Sequence, residues 1–511
     1  MSHSIRFRML LAAGLLLGAA ALAQEPGGGG GTAGKAESHE PRATTTRHQV
    51  SIGGSPVYYT ATAGWLILEK DGAAEARFGY TAYTRDGVEN PGRRPITFAF
   101  NGGPGSSSIW LHMGVLGPRR VVVTDEGFTP PPPSQRVDNA YSILDVSDLV
   151  MLDPVGTGFS VPLGNATGKD FWGVDQDIES VATFIKKYVS ENGRWGSPKY
   201  ILGESYGGMR AAGLVHHLQN RHGMQCNGVV LVSPFLSMGS GVDGASIDLP
   251  HVLYLPTLAA TAWYHQTIPD RPPDLAPFLA EVERFAYEVY APALLRGYAL
   301  TAAERLAVAR TLARSTGTAV EYWEQADLRV SHIQFLQELL RGQRRIAGRI
   351  DSRFAGPAMN PLAETMDYDP FFPAVGPAFT AAFLDYLHNE LGFGRELEYV
   401  VSARDLEWDW KHRPPGSRGW AAPFATTVPD LAAALTQNPG LHVLVQQGLF
   451  DLATPYLATR HDLDHLRIQA EARKRIRVEI YEAGHMMYLH QGSMEKFKDD
   501  LASFIRDSSR L

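Results

Sequence analysis

Cysteine is nearly absent from this chain of 511 residues: Cys226 is the single one, so no intrachain disulfide can form. A chain of this length can bury a large core and does not depend on such staples. Cys226 lies in Gly223-Met224-Gln225-Cys226-Asn227, a connector just before a strand, and reads as an incidental thiol rather than a nucleophile. Long basic runs are missing too, and the formal charge is −7, so no nucleic-acid footprint is present. No internal repeat marks a solenoid or an array. With 44% hydrophobic and 20% charged residues, the composition is that of a soluble globular protein rather than a disordered one.

The first residues read as an address. Arg6 and Arg8 precede an apolar stretch from Met9 to about Ala21, which closes with Ala21-Leu22-Ala23. A positive start, a short apolar run and an A-x-A site make a secretory signal cleaved after Ala23. A spanning helix needs about 20 apolar residues, more than this run supplies. Gln24, not cysteine, follows the junction, so no lipid attachment is indicated there. The expectation is an exported protein, periplasmic or secreted, with no stable membrane anchor after cleavage. Residues 24–46 include five consecutive glycines, Gly27 to Gly31, and read as a flexible linker, with order beginning near Gln49.

Strand signals follow. Val57-Tyr58-Tyr59-Thr60 and Trp65-Leu66-Ile67-Leu68 suggest an N-terminal antiparallel meander. Ile96 to Phe100, Leu149 to Leu152, Tyr200 to Leu202 and Val229 to Val232 are apolar core strands, and Asp177 to Tyr188 carries apolar residues at helical spacing. From about 250 to 400 the pattern turns helical, with a capping box at Thr301 and Glu304 and no comparable strand run. Alternation resumes at Val443 to Val445 and Arg477 to Ile480. This predicts an α/β fold with a mostly parallel central sheet and a largely helical cap insertion. The division expected is a core from 47 to 245, the insertion from 246 to 414 and the rest of the core from 415 to 511.

Gly203-Glu204-Ser205-Tyr206-Gly207 sits between a strand and a helix, the context of a G-x-S-x-G nucleophile elbow. A serine hydroxyl is a poor nucleophile without a base to take its proton. In such folds an acid and then a histidine follow the serine, each on a loop after a core strand. Here Asp451 follows Val443-Leu444-Val445 after a short Gly-containing turn, and His485 follows Val478-Glu479-Ile480-Tyr481 in Glu482-Ala483-Gly484-His485. His485 would take the proton from Ser205, and Asp451 would fix the imidazole tautomer. Glu482, His490, Asp462 and Asp464 are rivals with poorer strand context. An oxyanion hole would come from the Tyr206 N–H and the glycine loop Asn101-Gly102-Gly103-Pro104-Gly105.

Asn101 to Ser108, Asp153-Pro154-Val155-Gly156-Thr157-Gly158-Phe159-Ser160, Gly203 to Gly208 and Gly484-His485-Met486 together resemble the serine carboxypeptidase family, which has the α/β-hydrolase fold. The resemblance covers about 95–235 and 440–490. It implies a triad of Ser205, Asp451 and His485, with Gly103 and Tyr206 N–H groups as the oxyanion hole. Asn101, the Gly102 N–H and Glu204 would bind the terminal carboxylate of a peptide substrate, with Glu204 protonated. No metal or organic cofactor is implied. One departure stands out: the family's second Glu, which shares a proton with the one before the serine, aligns with Val115. Arg119 and Arg120 follow, either as a substitute charge or as surface residues. The resemblance implies a serine-type carboxypeptidase acting through an acyl-enzyme. The alternatives are an esterase or acyltransferase on the same triad, or a non-catalytic binding protein on this scaffold.

Overall fold

The computed structural model describes residues 40–244, 247–417 and 424–509. The expected signal and residues 24–39 of the expected linker lie outside them. Order begins earlier than the composition suggested. β1 (Arg42–Ile52) pairs antiparallel along its whole length with β2 (Ser55–Lys70), Thr44 to Thr46 opposite Ala61 to Ala63. Three β-branched residues on a pleated surface explain why this stretch is a strand and not linker. β3 (Ala73–Arg85) completes the meander.

The sheet then turns parallel. β4 (Ile96–Phe100) is followed by a small outlying pair, β5 (Arg119–Val121) with β6 (Arg136–Asp138). β7 (Asp148–Leu152) re-enters the sheet, and the short β8 (Val161–Pro162) pairs with β3. β9 (Lys199–Glu204) and β10 (Gly228–Val232) complete the first half. Within the insertion, β11 (Arg345–Ala347) and β12 (Ala355–Pro357) form an antiparallel pair, so the segment is not purely helical. β13 (His442–Gly448) and β14 (Ile476–Tyr481) end the sheet. Its order is β1-β2-β3-β7-β4-β9-β10-β13-β14, parallel from β7 onward.

The central strands are buried on both faces, as a parallel sheet requires. Ala99 and Leu202 point into one apolar layer, Phe98, Phe100 and Ile201 into the other. Helices Val174–Glu191 and Tyr206–His222 cover the second layer. The insertion has a core of its own around Leu255, Leu258, Leu312, Trp323 and Phe335, which takes in Phe450 and Leu452. Its helix Ala302–Thr316 opens with the Thr301–Glu304 capping box. The helix Phe371–Asp385 packs instead with Trp65 and Tyr488 in the first layer of the main core. Among the described residues no helix is long and apolar enough to cross a membrane.

Candidate active site

Ser205 stands between β9 and the helix Tyr206–His222 with φ of 62° and ψ of −129°, a conformation non-glycine residues rarely hold. The flanking glycines permit it: a Cβ on Gly203 would lie 2.0 Å from the Gly207 carbonyl oxygen. The elbow is pinned to the end of β10. Ser205 N–H donates to Val232 O at 3.0 Å, and Ser205 O accepts from Gly208 N at 2.8 Å and Phe235 N at 2.9 Å.

Asp451 and His485 meet across the ends of β13 and β14. His485 Nδ1 lies 2.8 Å from Asp451 Oδ2. Asp451 Oδ1 accepts from the Ala453 and Thr454 N–H groups at 2.8 and 2.9 Å. Burial works against charge on His485, but the Asp451 carboxylate and its hydrogen bond outweigh it, and the pKa is raised. With Nδ1–H committed to Asp451, Nε2 is left as the basic nitrogen. Two residues that sequence reasoning missed tie these loops to the elbow. Thr454 Oγ1 lies 2.7 Å from Asp451 Oδ2 and 2.9 Å from Ser233 O. Ser233 Oγ donates to His485 O at 2.7 Å, and Ser233 directly follows the strand that holds Ser205.

A third support comes from the insertion. Leu452 N donates to Arg349 O at 3.0 Å, Ser352 N to Phe450 O at 2.9 Å, and His485 N to Ile350 O at 2.7 Å. Residues 349–352 therefore hold the loops of Asp451 and His485 together. Asp369 holds that segment in turn, accepting from Arg349 N at 3.2 Å and Ile350 N at 3.0 Å.

On the other side of Ser205, Gly102 lies against the elbow: a Cβ there would stand 2.5 Å from Tyr206 N, so only glycine fits. Gly103 follows with φ of 104°. Asn101 Nδ2 donates to Glu204 Oε1 at 2.7 Å, and its Oδ1 accepts from Leu111 N at 3.1 Å. The Asn101 carbonyl accepts from Arg210 Nη1 at 2.8 Å, while Arg210 Nε donates to Asp177 Oδ2 at 2.7 Å. Tyr206 OH completes this buried group at 3.3 Å from Asp177 Oδ2.

Glu204 is buried, and burial pushes its pKa up to about 7 against the pull of His485, Tyr488 and Asn101. Its second oxygen accepts from Tyr488 OH at 2.7 Å. Val115 is fully buried in the apolar core. The neighbouring Gly114 provides the seat for Tyr488, whose ring would stand 2.3 Å from a Cβ there. A tyrosine three residues after His485 thus bonds the carboxyl that lacks a second Glu. That position after His485 was the only signal for it in the sequence. Arg119 and Arg120 are not the substitute charge: Arg119 pairs with Asp138 and, at 2.9 Å, with Glu390, while Arg120 lies over the Tyr141 ring.

The rivals go elsewhere. Asp462 is buried against Ser240 Oγ at 2.9 Å, and His490 bonds Ser493 at 2.8 Å. Burial pushes the Cys226 thiol up to about 12, so it is no nucleophile near neutrality. Beside the acid loop a cavity of about 500 Å³ is lined by Tyr264, Arg353, Phe450 and Glu482 among others.

Residues 55–268 match the model of the serine carboxypeptidase family. Serine carboxypeptidase-like 8 of Arabidopsis thaliana is 28% identical over 173 residues, 34% of this chain and 38% of that protein. Serine carboxypeptidase-like 36 of the same plant is 28% identical over 189 residues, 36% of each chain. The matched part thus spans well under half the length of these relatives. Among solved structures, a prohormone-processing carboxypeptidase from Saccharomyces cerevisiae superposes with a TM-score of 0.56 at 14% identity, covering 88% of this chain and 92% of that one. The fold is that of the α/β-hydrolases, and the resemblance carried by the motifs holds.

Proposed function

We propose that this chain, similar over residues 55–268 to the serine carboxypeptidase family, is a serine-type carboxypeptidase that releases C-terminal residues from peptides. The observation that carries the reading is the pairing of His485 Nδ1 with Asp451 at 2.8 Å, on loops tied through Ser233 to the elbow of Ser205. Ser205 Oγ attacks the scissile carbonyl while His485 Nε2 takes its proton. The Gly103 and Tyr206 N–H groups stabilise the oxyanion. Collapse of the tetrahedral adduct breaks the C–N bond, and His485 returns the proton to the departing amino acid. Water then attacks the acyl-enzyme with the same base and restores Ser205. The substrate's free carboxylate is held by Asn101, the Gly102 N–H and protonated Glu204, with Tyr488 in support. The insertion, expected over 246–414, closes the site from above and shapes the pocket for the leaving residue.

An esterase or acyltransferase would use the same acyl-enzyme; the missing second Glu at Val115 leans slightly toward it, while Tyr488, bonded to Glu204 at 2.7 Å, keeps the carboxypeptidase reading first. A fluorophosphonate probe separates the catalytic readings from a binding protein: labelling of Ser205 in the folded chain supports them, and none refutes them. Comparing a free-carboxylate peptide with a simple ester then separates peptidase from esterase. Export follows from the sequence of residues 1–23, and N-terminal sequencing of the mature protein should begin at Gln24.

A further inference from the structure

At the far end of the helix that begins beside Ser205, three potential ligands converge where the reaction has no use for them. His217 and His222 lie in the last turns of Tyr206–His222, their ring centroids 5.4 Å apart. Glu179, on the neighbouring helix Val174–Glu191, reaches across so that its Oε2 is 3.1 Å from His217 Nε2. One donor atom from each of the three residues falls within 4.8 Å of the other two. Both His217 Nε2 and His222 Nε2 are buried atoms without a hydrogen-bond partner. The 3.1 Å approach to Glu179 is therefore off the line of a ring N–H bond. Unpartnered buried ring nitrogens cost free energy unless something occupies them.

We propose that Glu179, His217 and His222 bind a divalent transition-metal ion such as Zn²⁺, stapling the two helices together. Two imidazoles and a carboxylate are the donor set that suits zinc and its neighbours rather than magnesium or calcium. Ligands about 2.0–2.1 Å from a tetrahedral ion stand roughly 3.3 Å from one another; Glu179 and His217 are at 3.1 Å, and the three donors, within 4.8 Å, need draw in by no more than about 1.5 Å. Burial lowers the pKa of both rings, toward the neutral form that a metal requires, and the charges of Arg221 and Lys186 act the same way against the pull of Glu179. The same cations oppose an incoming ion, and the Glu179 carboxylate offsets part of their charge. Three protein ligands leave a fourth position for water. At 1.5 Å per residue along the helix, His217 and His222 lie about 18 and 25 Å from Ser205, so the role of this site is in holding the fold and not in the reaction.

The test is titration of the full, metal-stripped chain with Co²⁺, read by its visible absorption, and competition by Zn²⁺. Thermal unfolding with and without Zn²⁺ accompanies it. The expected result is one equivalent of tetrahedral Co²⁺, displaced by Zn²⁺, and a melting temperature that rises with Zn²⁺. His217→Gln and His222→Gln should each weaken binding by roughly tenfold or more and abolish the rise, with hydrolysis by the metal-free protein unchanged. The pair His461 and His465, ring centroids 4.0 Å apart, is the natural competitor. Binding that survives both substitutions and disappears in His461→Gln overturns the proposal, as does no binding at all.

Discussion

Glu204 shows at the level of one residue how position sets chemistry. A carboxyl buried beside Asn101 and Tyr488, with its pKa pushed up to about 7, stays protonated below neutrality. If it binds the substrate carboxylate, it does so only in that form, since two carboxylates repel. kcat/KM for free-carboxylate peptides should therefore fall as pH rises through about 7, while the acid limb reflects His485 gaining its proton. Glu204→Gln, which cannot ionise, should remove the alkaline fall and leave the acid limb; an unchanged alkaline limb would assign it to another group. Tyr488→Phe removes one hydrogen bond worth about 1 kcal/mol. It should raise KM for free-carboxylate peptides about fivefold with little change for simple esters. Ser205→Ala should lower kcat by about 10⁴-fold or more in a steady-state assay.

At the scale of elements, two loops are assembled by a segment that performs no chemistry. Residues 349–352 join the loops of Asp451 and His485, and Asp369 caps that segment. Asp369→Ala strands three backbone N–H groups, those of Arg349, Ile350 and Phe371, and should cost about 1–3 kcal/mol in denaturant unfolding. It should lower kcat more than KM, because the base and its orienter loosen while the carboxylate site is untouched. This arrangement was invisible in the sequence because long-range backbone bonds leave no residue signature. The elbow, Asp451 and His485 were legible because chain order and strand ends constrain them. Tyr488 was missed for a different reason: it lies next to the base in sequence, yet its partner Glu204 is 284 positions away. The Asp177–Arg210 pair forms only when two helices pack, and nothing in the spacing of the two residues announces it. The start of β1 (Arg42–Ile52) is hidden in the sequence because glycine-rich composition upstream masks three strand-forming threonines, so the linker that composition suggests runs to residue 46.

Across the whole molecule, several carboxyls are buried with few partners. Burial pushes Asp462 up to about 7 and Asp153 up to about 6, alongside Glu204. Between about pH 4 and pH 7 the native state holds protons that the unfolded chain releases, so these groups lower stability as pH rises. Asp462→Asn keeps a partner for Ser240 and carries no charge. It should flatten that slope, with a gain on the order of 2–4 kcal/mol above pH 7 and none near pH 4. Urea unfolding at both pH values measures it, and an equal effect at both would mean that the carboxyl is ionised throughout.

The central claim is that Ser205, Asp451 and His485 form an acyl-transfer site placed beside a receptor for a terminal carboxylate. The most direct measurement is release of the C-terminal residue from a peptide and from its C-terminal amide, across about pH 4 to 8. Ser205→Ala serves as the control. The account predicts serine-dependent release from the free acid, little from the amide, and decline of the free-acid rate through about pH 7. Equal release from both, or release that persists in Ser205→Ala, would contradict it.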